Sequence, residues 1–77
     1  MLIDDHQSKA VDLGCGTGEQ TFLLSQKFKQ TSFLGIDSSS EMLSEAKELS
    51  NDRLSFKQQD IASFLADESR WDLIFSN

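Results

Sequence analysis

Three glycines occupy alternate positions, Gly14, Gly16 and Gly18, directly after the apolar stretch that carries Asp12. The whole chain has 4 glycines, so this concentration needs a reason. Glycine in an element interior costs roughly 0.5–1 kcal/mol relative to alanine, and it is tolerated where the backbone must take positive φ or let a neighbour come close. A glycine loop between a strand and a helix can hold a ligand against bare backbone, with the unpaired N–H groups of the helix start turned toward an anionic part of it. Two further acids, Asp37 and Asp60, each end a partly apolar segment downstream. A carboxylate has acceptors for several donors, and its charge strengthens each hydrogen bond.

Spacing narrows the choice of ligand. A dinucleotide-binding loop reads G-x-G-x-x-G, which would put the third glycine at position 19, where the chain has Glu19. A phosphate-binding P-loop would need Gly-Lys-Ser/Thr after the loop, and none follows. The observed arrangement is D-x-G-x-G-x-G, led by Asp12.

The elements that must position these residues alternate along the chain. Ala10 to Leu13 is expected as a first buried strand, and Glu19 to Lys29 as a helix with Thr21, Leu24 and Phe28 on one face. Thr31 to Asp37 reads as a second strand. Ser38 and Glu41 have the spacing of a capping box for a second helix, whose apolar face is Met42, Leu43, Ala46 and Leu49. Residues 53–60 alternate Leu54 and Phe56 against polar neighbours as a third strand ending near Asp60. Ile61 to Leu65 is a short helical turn, and "WDLIFSN", residues 71–77, a fourth strand. Strands alternating with helices imply right-handed crossovers and a parallel sheet covered on its faces. In such sheets a ligand sits beyond the carboxyl ends of the strands, where the glycines fall.

Composition excludes other roles. With 77 residues and a single cysteine, Cys15, there is no disulfide framework to support a small core. A net charge of -6 with scattered basic residues argues against nucleic-acid partners. No apolar run spans a bilayer, and the first ten residues lack the pattern of a signal peptide, so a cytoplasmic protein with no membrane partner is expected. Cys15 has no basic partner to make a thiolate, and His6 has no second ligand for a metal. Residues 1–9 are expected as a polar segment and 10–77 as one domain.

Four segments together resemble class I S-adenosylmethionine-dependent methyltransferases. "VDLGCGTG" resembles their first motif, "GIDSSSEML" the second, "QQDIASF" the third and "WDLIFSN" the fourth. Within the family the chain looks most like the trans-aconitate methyltransferase branch, which methylates a carboxylate of a small acid. The resemblance implies a three-layer Rossmann-like α/β half-domain, truncated after strand four, with S-adenosylmethionine as cofactor and a small-molecule substrate. It also implies a set of contact residues. The loop of Asp12, Gly14, Cys15, Gly16 and Gly18 would wrap the amino-acid and sugar part. Asp37, followed by Ser38, would hold the ribose hydroxyls, and Asp60 with the N–H of Ile61 would meet the adenine. Asn77 would lie beside the transferred methyl.

Several residues keep a second reading. Met42 fits an adenine contact, but its place on the apolar stripe of helix two favours core packing. Asp37 and Asp60 can each serve as helix caps, and Asp12 is expected to order the glycine loop through backbone hydrogen bonds. Asn77 stands at a terminus, where chains fray. No residue is assigned a catalytic role, because the resemblance places the acceptor pocket beyond Asn77, and the fragment alone is not expected to turn over. Strand four is expected to leave an open apolar edge fit for self-association. Two alternatives therefore remain: a non-catalytic fragment that associates through that edge, and an NAD-binding half-domain.

Overall fold

Four short strands are brought side by side by helical crossovers. A computed structural model of the chain describes residues 8–66 and 71–76. Strand β1 (Lys9–Leu13) leads to helix α1 (Glu19–Lys27), β2 (Ser32–Asp37) to α2 (Ser40–Ala46) with a 3₁₀ turn (Lys47–Leu49), and β3 (Leu54–Gln58) to α3 (Ile61–Ala66), before β4 (Leu73–Ser76). The strands form one sheet in the order β3-β2-β1-β4, and every pairing is parallel. Each expected element is present. The ends differ: α1 stops at Lys27, and the fourth strand begins at Leu73.

Strand β1 is central, and Ala10 through Leu13 are buried, as a strand covered on both faces must be. Its register sets Val11 beside Leu34 of β2 and Ile74 of β4. Alternation then divides the core. Ala10, Phe33, Leu54 and Phe56 pack under Leu43 and Ala46 of α2, with Phe22 and Leu24 of α1 and Phe28 just after it against them. Val11, Leu13 and Ile36 point the other way, onto Phe64 of α3, joined by Leu34 and Trp71. Trp71 stacks on Phe64 in a tilted pair with ring centroids 5.7 Å apart. This second face has the thinner cover: Ile74, Ile61 and Leu65 are exposed there or next to it. The apolar edge at β4 is thus present as expected.

Two details of the helices correct the sequence reading. The fully buried positions on α1 are Thr21 and Ser25, one turn apart, while Leu24 and Phe28 are only half-buried. Small side chains are what a helix lying close on a sheet can accommodate. The cap of α2 is Ser39, not Ser38: its hydroxyl accepts from the N–H of Met42 at 3.3 Å, which shifts the helix start by one residue and leaves Glu41 out of any capping box.

One anchor carries no local sequence signal. The Arg53 guanidinium, at the entry to β3, donates to the carbonyls of Ser25 (3.0 Å), Phe28 (3.1 Å) and Thr31 (2.9 Å). These carbonyls belong to the end of α1 and the turn after it, which the helix itself cannot satisfy. A cation at a helix C-terminus also opposes the helix dipole favourably.

Candidate functional site: the glycine loop and its acids

Gly14, Gly16 and Gly18 all adopt left-handed backbone, with φ of 76°, 59° and 86°. A left-handed conformation costs a residue with a Cβ roughly 1–2 kcal/mol, so the spacing of the three glycines follows from the path of the loop. Their surroundings separate them. A Cβ on Gly14 would meet nothing within 4 Å, and one on Gly16 only the Met42 sulfur at 3.6 Å. A Cβ on Gly18 would stand 2.9 Å from both Ala46 Cβ and the Phe56 ring. Gly14 and Gly16 therefore face open space, whereas Gly18 is required by the packing of the α1 start against α2 and β3. Gly35 in β2 has a similar packing role: a Cβ there would lie 2.7 Å from the Phe56 ring and 2.9 Å from Cys15 Cβ.

The loop is fastened chiefly to the strand next door. The N–H groups of Gly14 and Cys15 both donate to the carbonyl of Ile36, at 2.8 and 2.9 Å. The N–H of Gly16 donates to Asp37 Oδ2 at 2.9 Å, while Asp37 Oδ1 accepts from the N–H of Ser39 at 2.9 Å. Asp37 thus joins the glycine loop to the start of α2 and holds both at the carboxyl end of the sheet. Asp12 works from below. It is fully buried, and its Oδ2 accepts from the Thr21 hydroxyl at 2.6 Å, tying β1 to the first turn of α1. The loop-ordering role expected of Asp12 is thus carried, in this bond, by a side-chain hydroxyl rather than by backbone. A buried carboxylate is tolerable only when hydrogen-bonded.

Around the loop lies a cleft of about 300 Å³ lined by Gly14, Cys15, Gly16, Thr17, Glu19, Gln20 and Met42. Among the described residues no lysine or arginine lines it, and the carboxylates of Asp37 and Asp12 hold its walls from behind. Met42 is 46 % exposed and belongs to this cleft, which corrects the core role favoured by its helical stripe. Thr17, Glu19 and Gln20 were not singled out from the sequence, although their place around the third glycine was a sufficient signal. The Cys15 side chain is buried, and burial first, then the charges of Asp12 and Asp37, push its thiol up to about 12. It is a neutral wall of the site, in keeping with the absence of a basic partner.

The remaining expected residues lie elsewhere. Ser38 is exposed just after β2. Asp60 is exposed at the start of α3, where Oδ1 accepts from the N–H of Ser63 at 2.7 Å and Oδ2 from its hydroxyl at 2.8 Å. These bonds lower its pKa, the Ser63 N–H most of all. Ile61 is 40 % exposed. None of the three lines the cleft. Asn77, like His6, falls outside the described residues. Among the described residues there is no cluster of metal-ligating side chains, and no helix is long and apolar enough to cross a membrane.

Comparison with known proteins sets this geometry in context. Residues 10–77 match a family model described as a methyltransferase domain. The trans-aconitate 2-methyltransferase of Deinococcus radiodurans is 46% identical over 70 residues, which are 91% of this chain and 26% of that protein. The chain thus spans about a quarter of the length of such relatives. Among solved structures, coclaurine N-methyltransferase bound to N-methylheliamine and S-adenosylhomocysteine superposes with a TM-score of 0.83 at 26% identity, covering 96% of this chain and 22% of that one. The plantazolicin methyltransferase BpumL in complex with S-adenosylhomocysteine gives 0.77 at 29% identity, covering 90% and 26%.

Proposed function

Since the chain belongs to the methyltransferase-domain family, we propose that its glycine-loop cleft binds S-adenosylmethionine and serves a methyl transfer to a small carboxylate. The observation that carries this reading is the junction of Gly16 and Asp37. A left-handed glycine with open space beside it is tied to a carboxylate at the end of the neighbouring strand. The residues fit the group. A cofactor bearing a sulfonium suits a cleft whose described lining holds an acid and no basic side chain. The NAD reading gives way to the spacing of the loop, which has Glu19 where a dinucleotide fingerprint needs its third glycine.

When bound, S-adenosylmethionine supplies an activated methyl. The chain's own residues bind and orient. Asp37 has lone pairs left after accepting from Gly16 and Ser39, and these can take the two ribose hydroxyls. Gly14 and Gly16 admit the ligand against bare backbone, and Met42 offers a thioether and methylenes to an aromatic ring. Ser38 follows Asp37 outside the cleft lining and would meet the ligand only at its exposed side. Asp60 keeps lone pairs beyond its bonds to Ser63 that can accept from the adenine amino group, and the N–H of Ile61 would follow it. In-line transfer asks chiefly for alignment, which can supply about 7–11 kcal/mol. A carboxylate acceptor is already ionised at neutral pH and needs no general base. The choice of a carboxylate rests on the relatives named above, and the acceptor pocket belongs to the longer protein they represent.

Calorimetric titration of the chain with S-adenosylhomocysteine, and separately with NAD, tests the proposal. Saturable binding of the first and none of the second is expected. Binding of NAD alone would overturn it.

A further inference from the structure

Phe56 is buried next to the cleft without lining it. It lies directly across from Gly35 in the β2–β3 register. One edge of its ring meets two bare backbones. A Cβ on Gly35 would come within 2.7 Å of Phe56 Cδ1, and one on Gly18 within 2.9 Å of Cε1 and Cζ. Cys15 Cβ closes the same space over Gly35 at 2.9 Å, and Ala46 Cβ the space over Gly18 at 2.9 Å. The ring is therefore wedged against both ends of the glycine loop, near the Cys15 side chain at its start and at Gly18 where α1 begins. Between these supports lie Gly16 and Thr17, which line the cleft. Met42, also in the lining, is one turn before Ala46 on α2.

We propose that Phe56 is a positioning residue for the cofactor site: its ring, seated on the bare Gly35, fixes the height of the glycine loop over the sheet and with it the shape of the cleft. The inference rests on the cofactor reading above. The hydrogen bonds of Gly14 and Cys15 to Ile36, and of Gly16 to Asp37, fasten the loop to β2. Its packed side rests on Phe56. In a close-packed interior a support with no space around it passes a displacement on rather than absorbing it. A loop lifted to relieve a clash must be drawn back when the ligand binds, and the recovered strain then counts against affinity. A ring that only filled the core would act on the free and the bound chain alike and leave affinity unchanged.

The test is an exchange of size at the seat. S-adenosylhomocysteine affinity by calorimetry and the urea denaturation midpoint are measured for the wild-type chain, Gly35→Ala, Phe56→Leu and the double variant. Gly35 is not among the glycines with positive φ, so Gly35→Ala acts through the ring and not through backbone strain. It should weaken binding by about tenfold, because the loop takes up part of the strain of an overpacked contact. Phe56→Leu withdraws the support from Gly18 and should weaken binding by about threefold. In the double variant the new methyl fills part of the space the ring leaves, and affinity should return to within about twofold of wild type, as for coupled neighbours. A Gly35→Ala chain that is less stable yet binds as the wild type does, or a double variant that binds no better than Gly35→Ala, would overturn the assignment and leave the cofactor reading standing. If Gly35→Ala does not fold, wild-type affinity in Phe56→Leu would overturn it in the same way. No binding by the wild type would overturn both.

Discussion

Two of the strand-to-helix junctions, β1–α1 and β3–α3, are built in opposite ways. At the β1–α1 junction three left-handed glycines carry the backbone over the sheet, and the loop is held by Ile36 and Asp37 of the neighbouring strand. At the β3–α3 junction Asp60 simply caps the helix that it begins, through Ser63 three residues later. The first is a structure of long-range bonds, one buried acid and open space beside bare backbone. The second is local and exposed. A ligand loop therefore differs from an ordinary turn less by its residue types than by being fastened to another strand, because only that fastening keeps a cleft open when nothing fills it.

The largest expected effect breaks the first junction at its packed end. Gly18→Ala puts a Cβ against Ala46 and the Phe56 ring in a left-handed conformation. It should cost about 2–4 kcal/mol of stability, read from the urea denaturation midpoint. Asp37→Ala comes next. It removes the ribose acceptor of the proposed reading and frees the Gly16 N–H, and should weaken S-adenosylhomocysteine binding by about 1.5–3 kcal/mol in a calorimetric titration. An unchanged affinity would reduce Asp37 to a structural tie. Gly16→Val should weaken the same binding while leaving helix content by circular dichroism nearly constant, since its Cβ meets only Met42 and its strain stays within the loop, at about 1–2 kcal/mol.

The smallest effect belongs to the second junction. Asp60→Ala should lower the melting temperature slightly and reduce affinity less than Asp37→Ala does. A larger loss than that of Asp37→Ala would show that Asp60 holds the ligand more strongly than Asp37 does. Its pH dependence has a definite sign. The folded state lowers the Asp60 pKa below its ordinary 3.8, so the cap contributes fully above pH ~4 and fades as the pH falls through the lowered value. The melting-temperature difference between wild type and Asp60→Ala should be constant down to that pH and close below it.

What the sequence made legible, and what it did not, follows the same division between periodic and long-range features. Strands and helices were readable because burial imposes a period on the residues, as in Leu54 and Phe56 or Leu43 and Ala46. The glycine loop was readable because backbone conformation restricts residue type. Met42 was misplaced because its helix position satisfies the apolar stripe equally well whether it faces core or cleft, and only the position of Gly16 decides. Arg53, Gly35 and the separate reason for Gly18 depend on neighbours distant in the chain. No local pattern marks them. Ser38, Ser39 and Ser40 can each cap a helix, and the choice fell to Ser39 because Asp37 takes its N–H.

The order of the strands also has a consequence for how the molecule comes together. The bond from Gly16 to Asp37 spans 21 residues, whereas the bond from the Lys9 N–H to Asp72 that starts the β1–β4 pairing spans 63. Closing the longer loop costs roughly 1 kcal/mol more in chain entropy, and contacts so distant in sequence form slowly. The bonds of the Gly14, Cys15 and Gly16 amides, and that of the Thr21 hydroxyl to Asp12, all join residues before Ser40. These ties of the glycine loop can therefore form during synthesis, while the fourth strand is still leaving the ribosome.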